Sequence, residues 1–145
     1  MTTHTHYEDT SSDSAFATLG DEEFLSLTTF RRSGERVSTP MWVARDGDAL
    51  LMFTPTTSGK VKRLRNDPRV ELRPCGRFGR VKDGVEAVAG GVAEVLTDEA
   101  SLERATGLLR EKYGLAYPVI MFVERLIKFG PEERFTLRIT RAEEK

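Results

Sequence analysis

The sequence has 145 residues, of which 39% are hydrophobic and 31% charged, enough apolar material for one domain with one core and too much for a disordered chain. It contains no apolar run of about 18 residues and no basic start followed by an apolar stretch, so we expect neither a membrane span nor secretion. One cysteine and two histidines exclude an internal disulfide and argue against a zinc site built by the protein. We expect a cytoplasmic protein without a metal.

The net charge of −1 hides an uneven distribution. Residues 58–82 contain nine basic side chains against two acidic ones, a local charge of +7. The nine are Lys60, Lys62, Arg63, Arg65, Arg69, Arg73, Arg77, Arg80 and Lys82. A nearly neutral chain with one cationic region is typical of a local anion site, so we expect a small anionic partner and neither nucleic acid nor a membrane.

The first fourteen residues are almost entirely polar, and they contain both histidines. A segment of this kind cannot bury enough apolar surface to offset its ordering entropy. We therefore predict a disordered N-terminal tail at residues 1–14 and one folded domain at residues 15–145.

The first half of the domain alternates apolar stretches with turns. We predict a short helix at Ala15–Leu19, then strands at Phe24–Phe30, Arg36–Ala44 and Ala49–Phe53, joined by glycine-containing turns. Pro40 indicates that the second strand lies at an edge or is irregular.

In the middle of the chain the spacing of apolar residues changes from that of a strand to that of a helix. Ser58 is a good N-cap, Val61 and Leu64 share a helix face, and the Asn-Asp-Pro sequence at 66–68 ends the helix. A half-buried strand at 70–74 and a long strand at Val85–Leu96 follow, and we expect a bulge or bend at the two glycines 90 and 91.

The last third predicts two helices and a strand. Asp98 caps a helix that ends at Gly114, a second helix spans Tyr117–Phe129, and residues 134–140 alternate as a strand. The apolar character of Tyr117–Phe129 suggests a subunit contact. About six strands with mostly hairpin connections predict a mainly β (α+β) fold, an antiparallel β-barrel with peripheral helices.

The stretch from 54 to 65 carries the candidate chemistry. Hydroxyl side chains precede Gly59 and a helix whose first turns hold four cations. A helix N-terminus favours an anion, and Lys60 and Arg63 lie three apart, so both can reach one phosphate. Lys62 and Arg65 lie on another face and could hold a longer anionic tail. The candidate binding residues here are Thr54, Thr56, Ser58, Gly59, Lys60 and Arg63.

Other interpretations remain open at this point. The cations could form a solvated helix face, and the spacing is not that of a Walker P-loop because Val61 follows Lys60. A small barrel that binds single-stranded nucleic acid is a third possibility, although the window offers only Phe78 for base stacking. No nucleophile with a histidine base can be assembled, so we name no catalytic residue. Either the domain binds without reacting, or a cofactor carries the chemistry.

Three motifs resemble those of a known family. They are Arg-Val-Ser-Thr-Pro-Met-Trp-Val from 36, Phe-Thr-x-x-x-Ser-Gly-Lys-x-x-Arg-Leu from 53, and Asn-Asp-Pro-Arg-Val from 66. Together they resemble the split β-barrel proteins related to pyridoxamine 5'-phosphate oxidase (the PPOX class), and most closely the branch that uses the deazaflavin coenzyme F420.

The resemblance implies a six-stranded, FMN-binding type of split barrel and a homodimer with cofactor sites at the subunit interface. It makes Ser38, Thr39 and Pro40 candidate contacts of the cofactor ring, and it makes the segment from Thr54 to Arg63 the phosphate-binding segment. The FMN enzymes carry Ser-Arg-Lys where this chain has Gly59 between Ser58 and Lys60. That departure favours F420 over FMN as cofactor, and it implies an oxidoreductase that transfers a hydride to a small conjugated or unsaturated acceptor.

Overall fold

The computed structural model describes residues 15–77, 89–114 and 133–142. Residues 15–18 form a helical turn that continues into the 3-10 helix Leu19–Asp21. The helices are α1 (Gly59–Asn66) and α2 (Glu99–Tyr113). The strands are β1 (Phe24–Phe30), β2 (Arg36–Met41), β3 (Ala44–Asp46), β4 (Ala49–Pro55), β5 (Arg69–Cys75), β6 (Ala89–Leu96) and β7 (Arg134–Arg141).

All these strands belong to one antiparallel sheet, in the order β2-β1-β5-β6-β7-β4-β3. The two edge strands, β2 and β3, are separated along the chain by only Trp42 and Val43. A link of this length spans roughly 10 Å at most, so the two edges must lie close together and the sheet must curl. This confirms the predicted antiparallel split barrel.

The predicted strand Arg36–Ala44 is two strands, so the described part of the chain has seven strands rather than six. β2 pairs with β1, whereas β3 pairs with β4 at the opposite edge of the sheet. The chain changes partner at Val43, whose N–H donates to the Tyr113 hydroxyl at 3.1 Å instead of joining a strand ladder. The edge position predicted from Pro40 is confirmed, since β2 is an edge strand.

The bulge predicted at the two glycines of β6 is wrong. Pairing of β6 with β5 runs through both glycines without a break in register, and pairing with β7 begins at Gly91 and is also continuous. A Cβ atom on Gly91 would lie 3.0 Å from Ile139 Cγ2 and 3.2 Å from Val70 Cγ2. Glycine is therefore needed at position 91 because the neighbouring strands approach closely.

The core lies inside the curled sheet. Alternate residues of each strand point inward, as Leu25 and Leu27 do on β1. Helix α1 packs against β1 and β6, and its Val61 and Leu64 are both 3% exposed. The main core cluster is Phe16, Leu25, Leu27, Val43, Leu50, Met52, Leu64, Val70, Leu72, Ala93, Leu137 and Ile139.

Helix α2 lies on the outer face of β3, β4 and β7. Asp98 caps it by accepting from the Ser101 N–H at 3.0 Å, as predicted, and Ala105 and Leu109 are its fully buried side chains. The Arg104 guanidinium donates to Asp46 Oδ1 at 2.6 Å, which fixes the helix to β3. This pairing holds the pKa of Asp46 below its ordinary value.

Four predicted segments lie wholly or partly outside the described residues: the tail 1–14, most of the connection 76–84, the first four residues of the predicted strand Val85–Leu96, and the helix Tyr117–Phe129. Within the described ranges, no helix is long and apolar enough to cross a membrane.

Tyr113 at the end of α2 gives a testable pH dependence. Its hydroxyl donates to Glu23 O at 2.6 Å, and burial raises its pKa from 10.0 to about 12. Because the folded state holds this proton more tightly than the unfolded state, the stability it contributes is present below pH 10 and is lost as the pH rises toward 12. An absorbance titration of tyrosinate should show one late step that coincides with loss of circular dichroism. The late step should be missing in Tyr113→Phe, and a single transition near pH 10 in the parent chain would contradict this.

Candidate functional site

Ser58 caps the start of α1 and accepts hydrogen bonds from two of the first backbone N–H groups of the helix. The Ser58 hydroxyl accepts from Lys60 N–H at 3.2 Å, as predicted for an N-cap, and its carbonyl accepts from Val61 N–H at 3.2 Å. The Ser58 N–H itself donates to Pro55 O at 3.0 Å, which makes the turn tight. Cationic side chains, more than free helix amides, are therefore what this end of α1 offers to an anion.

Arg63 folds back over the first residue of its own helix. Its Nε donates to Thr29 Oγ1 on β1 at 2.7 Å. Its Nη1 lies 2.7 Å from the position that a Cβ on Gly59 would occupy. Gly59 therefore leaves the space that the guanidinium fills, a role that the sequence did not indicate.

The charge of Arg63 is not balanced by a carboxylate. Burial lowers the pKa of the half-buried guanidinium, and nearby Arg31 lowers it further. No carboxylate in the described ranges forms an ion pair with it. Five exposed arginines do pair: Arg31 with Glu35, Arg36 with Glu71, Arg45 with Asp21, Arg69 with Asp67, and Arg104 with Asp46. Partly burying a cation without a carboxylate partner costs free energy. Charged groups held at such a cost are typical of binding sites.

A cleft of about 410 Å³ opens beside α1, against the turn between β1 and β2. Its walls contain three cations and no carboxylate. Arg65, one of the three, also places its guanidinium carbon 5.6 Å from the centre of the Phe135 ring. The lining residues are Arg32, Thr56, Thr57, Ser58, Val61, Lys62, Arg65 and Asn66. The cleft is thus a positively charged groove edged with hydroxyl groups.

The predicted phosphate-binding residues divide between this cleft and its rim. Thr56 and Ser58 line the cleft, and Gly59 and Arg63 lie beside it at the same end of α1. Lys60 is half-buried and is not part of the cleft wall, where Lys62 and Arg65 stand instead. The helix face expected to hold a longer anionic tail is therefore the one that faces the cleft.

Thr54 is the most enclosed of the predicted residues. It is 0% exposed on β4, and its hydroxyl has no hydrogen-bond partner among the residues that the structure describes. The Thr54 side chain is therefore buried and does not line the cleft.

The three predicted ring contacts on β2 do not share a face. Strand alternation places Ser38 and Pro40 on the outer side of the sheet and Thr39 on the inner side. The Ser38 hydroxyl is 2.7 Å from that of Thr28. The Thr39 hydroxyl is buried without a partner in the described part of the chain. A single ligand can thus contact either Ser38 and Pro40 or Thr39 through their side chains, unless it lies across the strand edge.

Sequence reasoning missed the contribution of the turn between β1 and β2. Arg32 lines the cleft, Arg31 lies close enough to affect Arg63, and Thr29 holds the Arg63 guanidinium. The one available signal was the pair of arginines at this turn, which we assigned only to a hairpin connection. Within the described ranges, no group of three histidine, cysteine or acidic side chains could hold a metal ion.

Comparison with known proteins identifies the class to which this fold belongs. The chain belongs to the pyridoxamine 5'-phosphate oxidase family, whose model matches residues 12–144. Comparison with the curated proteins finds no match.

Solved structures with the same fold cover most of the chain. A conserved hypothetical protein of Mycobacterium tuberculosis is 22% identical with a TM-score of 0.61, over 94% of this chain and 81% of its own. A structure described as an F420 reductase is 17% identical with a TM-score of 0.56, over 88% of this chain and 94% of its own. An FAD-binding protein of Mesorhizobium loti is 16% identical with a TM-score of 0.56, over 87% of this chain and 84% of its own. At these identities the similarity shows the shared fold.

Proposed function

We propose that the protein is a deazaflavin-dependent oxidoreductase that uses coenzyme F420 to reduce a small conjugated or unsaturated acceptor. The observation that carries the proposal is the uncompensated Arg63 guanidinium beside a cleft walled by Arg32, Lys62 and Arg65. Family membership and the F420 reductase among the similar structures support the same class.

The residues at this site suit a ligand with an anionic end. The Arg63 Nε is held by Thr29, and no acceptor in the described ranges engages its terminal nitrogens, which are the ones that grip a phosphate in bidentate fashion. The three cations of the cleft extend the positive surface beyond one phosphate. F420 ends in a phospholactyl-oligoglutamate tail with several negative charges, whereas FMN ends in one phosphate, so the longer polyanion suits this surface better.

The protein's own part in the reaction is to bind, orient and exclude water. When bound, the reduced deazaflavin would supply a hydride from its ring carbon, so no side chain is required as nucleophile. Arg63 and the cleft would fix the charged end of the cofactor, and β2 would lie beside its ring. Holding two reactants in the reacting geometry accounts for a large part of the rate in such a reaction.

We further propose a homodimer with the cofactor sites at the subunit interface. Helix α2 contacts β3, β4 and β7, and α1 contacts β1 and β6, so neither of these helices packs extensively on β2 or β5. The outer side of β2 carries the exposed residues Ser38 and Pro40, two of the predicted ring contacts. Analytical ultracentrifugation should give twice the mass of one chain, and a monomer at micromolar concentration would contradict the proposal.

An FMN-dependent enzyme of the same fold is the second candidate. It is favoured by the FAD-binding protein among the similar structures, because that protein uses an ordinary flavin on this fold. The two candidates differ in the purified protein, which would be yellow with stoichiometric flavin absorbance if FMN is resident.

The test is a pair of titrations that follow Trp42, the single tryptophan of the chain. Adding F420 should quench its fluorescence to saturation at micromolar concentration, and FMN should require at least tenfold more. Quenching by FMN without quenching by F420 would overturn the deazaflavin assignment. Quenching by neither cofactor would overturn the oxidoreductase assignment.

A further inference from the structure

We propose that Thr29 is a positioning residue for the anion site: its hydroxyl fixes the Arg63 guanidinium so that the terminal nitrogens are presented to the ligand. The inference rests on the proposed function, and it names a residue outside the cationic segment that the sequence singled out. Thr29 lies on β1, 34 positions before Arg63, and it is 1% exposed.

The contact between Arg63 and Thr29 restricts the orientation of the guanidinium. The hydrogen bond from Arg63 Nε to Thr29 Oγ1 is short, at 2.7 Å, and its acceptor belongs to β1, which is paired with a strand on each side. An arginine side chain has four rotatable bonds, so an anchor at Nε restricts the guanidinium to a narrow range of orientations. Packing of Nη1 against Gly59 restricts it further.

The anchor at Nε leaves the terminal nitrogens of Arg63 available to a ligand. Nε faces the protein, and the two terminal nitrogens have no acceptor within the described ranges. A guanidinium tied at Nε keeps its fork of terminal donors for a phosphate or carboxylate. Without the anchor the side chain would have to be ordered at the moment of binding, and that ordering lowers affinity.

Nearby arginines repel the Arg63 guanidinium. Arg31 lies near enough to oppose the charge of Arg63, and Arg32 stands in the adjoining cleft. Like charges favour a mobile guanidinium that swings away from its neighbours. The Thr29 hydroxyl, together with the space above Gly59, opposes this by holding the cation close to the others.

The test compares two substitutions of one hydroxyl. Thr29→Val keeps the size of the side chain and removes the acceptor, whereas Thr29→Ser keeps the acceptor. We expect Thr29→Val to weaken F420 binding about tenfold, as expected for the loss of one charged hydrogen bond, and Thr29→Ser to bind within about twofold of the parent protein. Thr136→Val is the matched control, since Thr136 is also fully buried but has no hydrogen-bond partner in the described part of the chain.

A second measurement does not depend on the cofactor. The Nε–H resonance of Arg63 in the ligand-free protein should be a sharp, slowly exchanging signal, and it should broaden or exchange rapidly in Thr29→Val alone. A purely structural role for Thr29 would lower stability without changing this resonance in the folded protein.

The outcomes separate this inference from the proposed function. If Thr29→Val binds F420 like the parent protein, or leaves the Arg63 resonance unchanged, Thr29 does not position Arg63. If replacing Arg63 itself with methionine leaves affinity unchanged, the anion site is not where we place it, and the proposed function loses its main support. If Arg63→Met weakens binding and Thr29→Val does not, only the positioning role is wrong.

Discussion

Replacing Arg63 with methionine should lower the affinity for F420 about 100-fold while the protein stays folded. The estimate corresponds to about 3 kcal/mol, the loss of a bidentate pair of charged hydrogen bonds. The fold should tolerate the change because the guanidinium is held by one hydrogen bond to Thr29 and fills space above Gly59 that a methionine can also occupy. Fluorescence titration of Trp42 measures the affinity, and circular dichroism checks the fold.

Arg69→Met is the matched control for this prediction. Arg69 belongs to the same cationic stretch of sequence, but it is exposed and donates to its own neighbour, Asp67, at 2.8 Å. Because its charge is already balanced, its removal should change F420 affinity by no more than about twofold. Equal losses in both variants would mean that net charge, and not the position of Arg63, controls binding.

Replacing Lys112 with methionine should lower the free energy of unfolding by about 3 kcal/mol, more than the other substitutions proposed for this protein. Although much of the side chain is exposed, its ammonium group donates to Gly20 O and Val43 O at 2.7 Å each and also to Glu22 O. One cation therefore ties the end of α2 to the start of the barrel and to the link between β2 and β3. Burial of the ammonium lowers the pKa of Lys112.

Urea denaturation checks this prediction. The free energy of unfolding should fall in Lys112→Met with little change in the denaturant slope. Lys62→Met is the control because Lys62 is exposed on α1, and its stability should stay within about 0.5 kcal/mol of the parent chain. If the free energy of unfolding falls by less than about 1 kcal/mol in Lys112→Met, water replaces the ammonium group as hydrogen-bond donor to these carbonyl oxygens, and the prediction is wrong.

Features of the fold that depend on neighbouring residues could be predicted from the sequence. Helix α1 follows from a capping serine and two apolar residues three apart, and both Val61 and Leu64 are buried as that pattern requires. Helix α2 follows in the same way from Asp98 and its apolar stripe. The partner change after β2 could not be predicted, because it depends on a hydrogen bond between Val43 and Tyr113, which lie 70 positions apart.

In the candidate site too, the parts formed by residues close in sequence could be predicted, and the parts formed by distant residues could not. The cationic, hydroxyl-rich segment was recognisable, since its members are close in sequence. Thr29 and Arg32 join it only through the folding of β1 against α1, so no spacing rule could indicate them. The opposite orientation of Thr39 relative to Ser38 was predictable from strand alternation alone, but the resemblance treated these residues as one set.

The central claim is that Arg63 and the cations beside it hold the charged end of a redox cofactor. A crystal structure of the protein with F420 tests this most directly. The account predicts the cofactor phosphate within about 3 Å of a terminal nitrogen of Arg63, with the tail running along Arg32, Lys62 and Arg65. A cofactor whose phosphate lies elsewhere, with the terminal nitrogens of Arg63 turned to solvent, would contradict it.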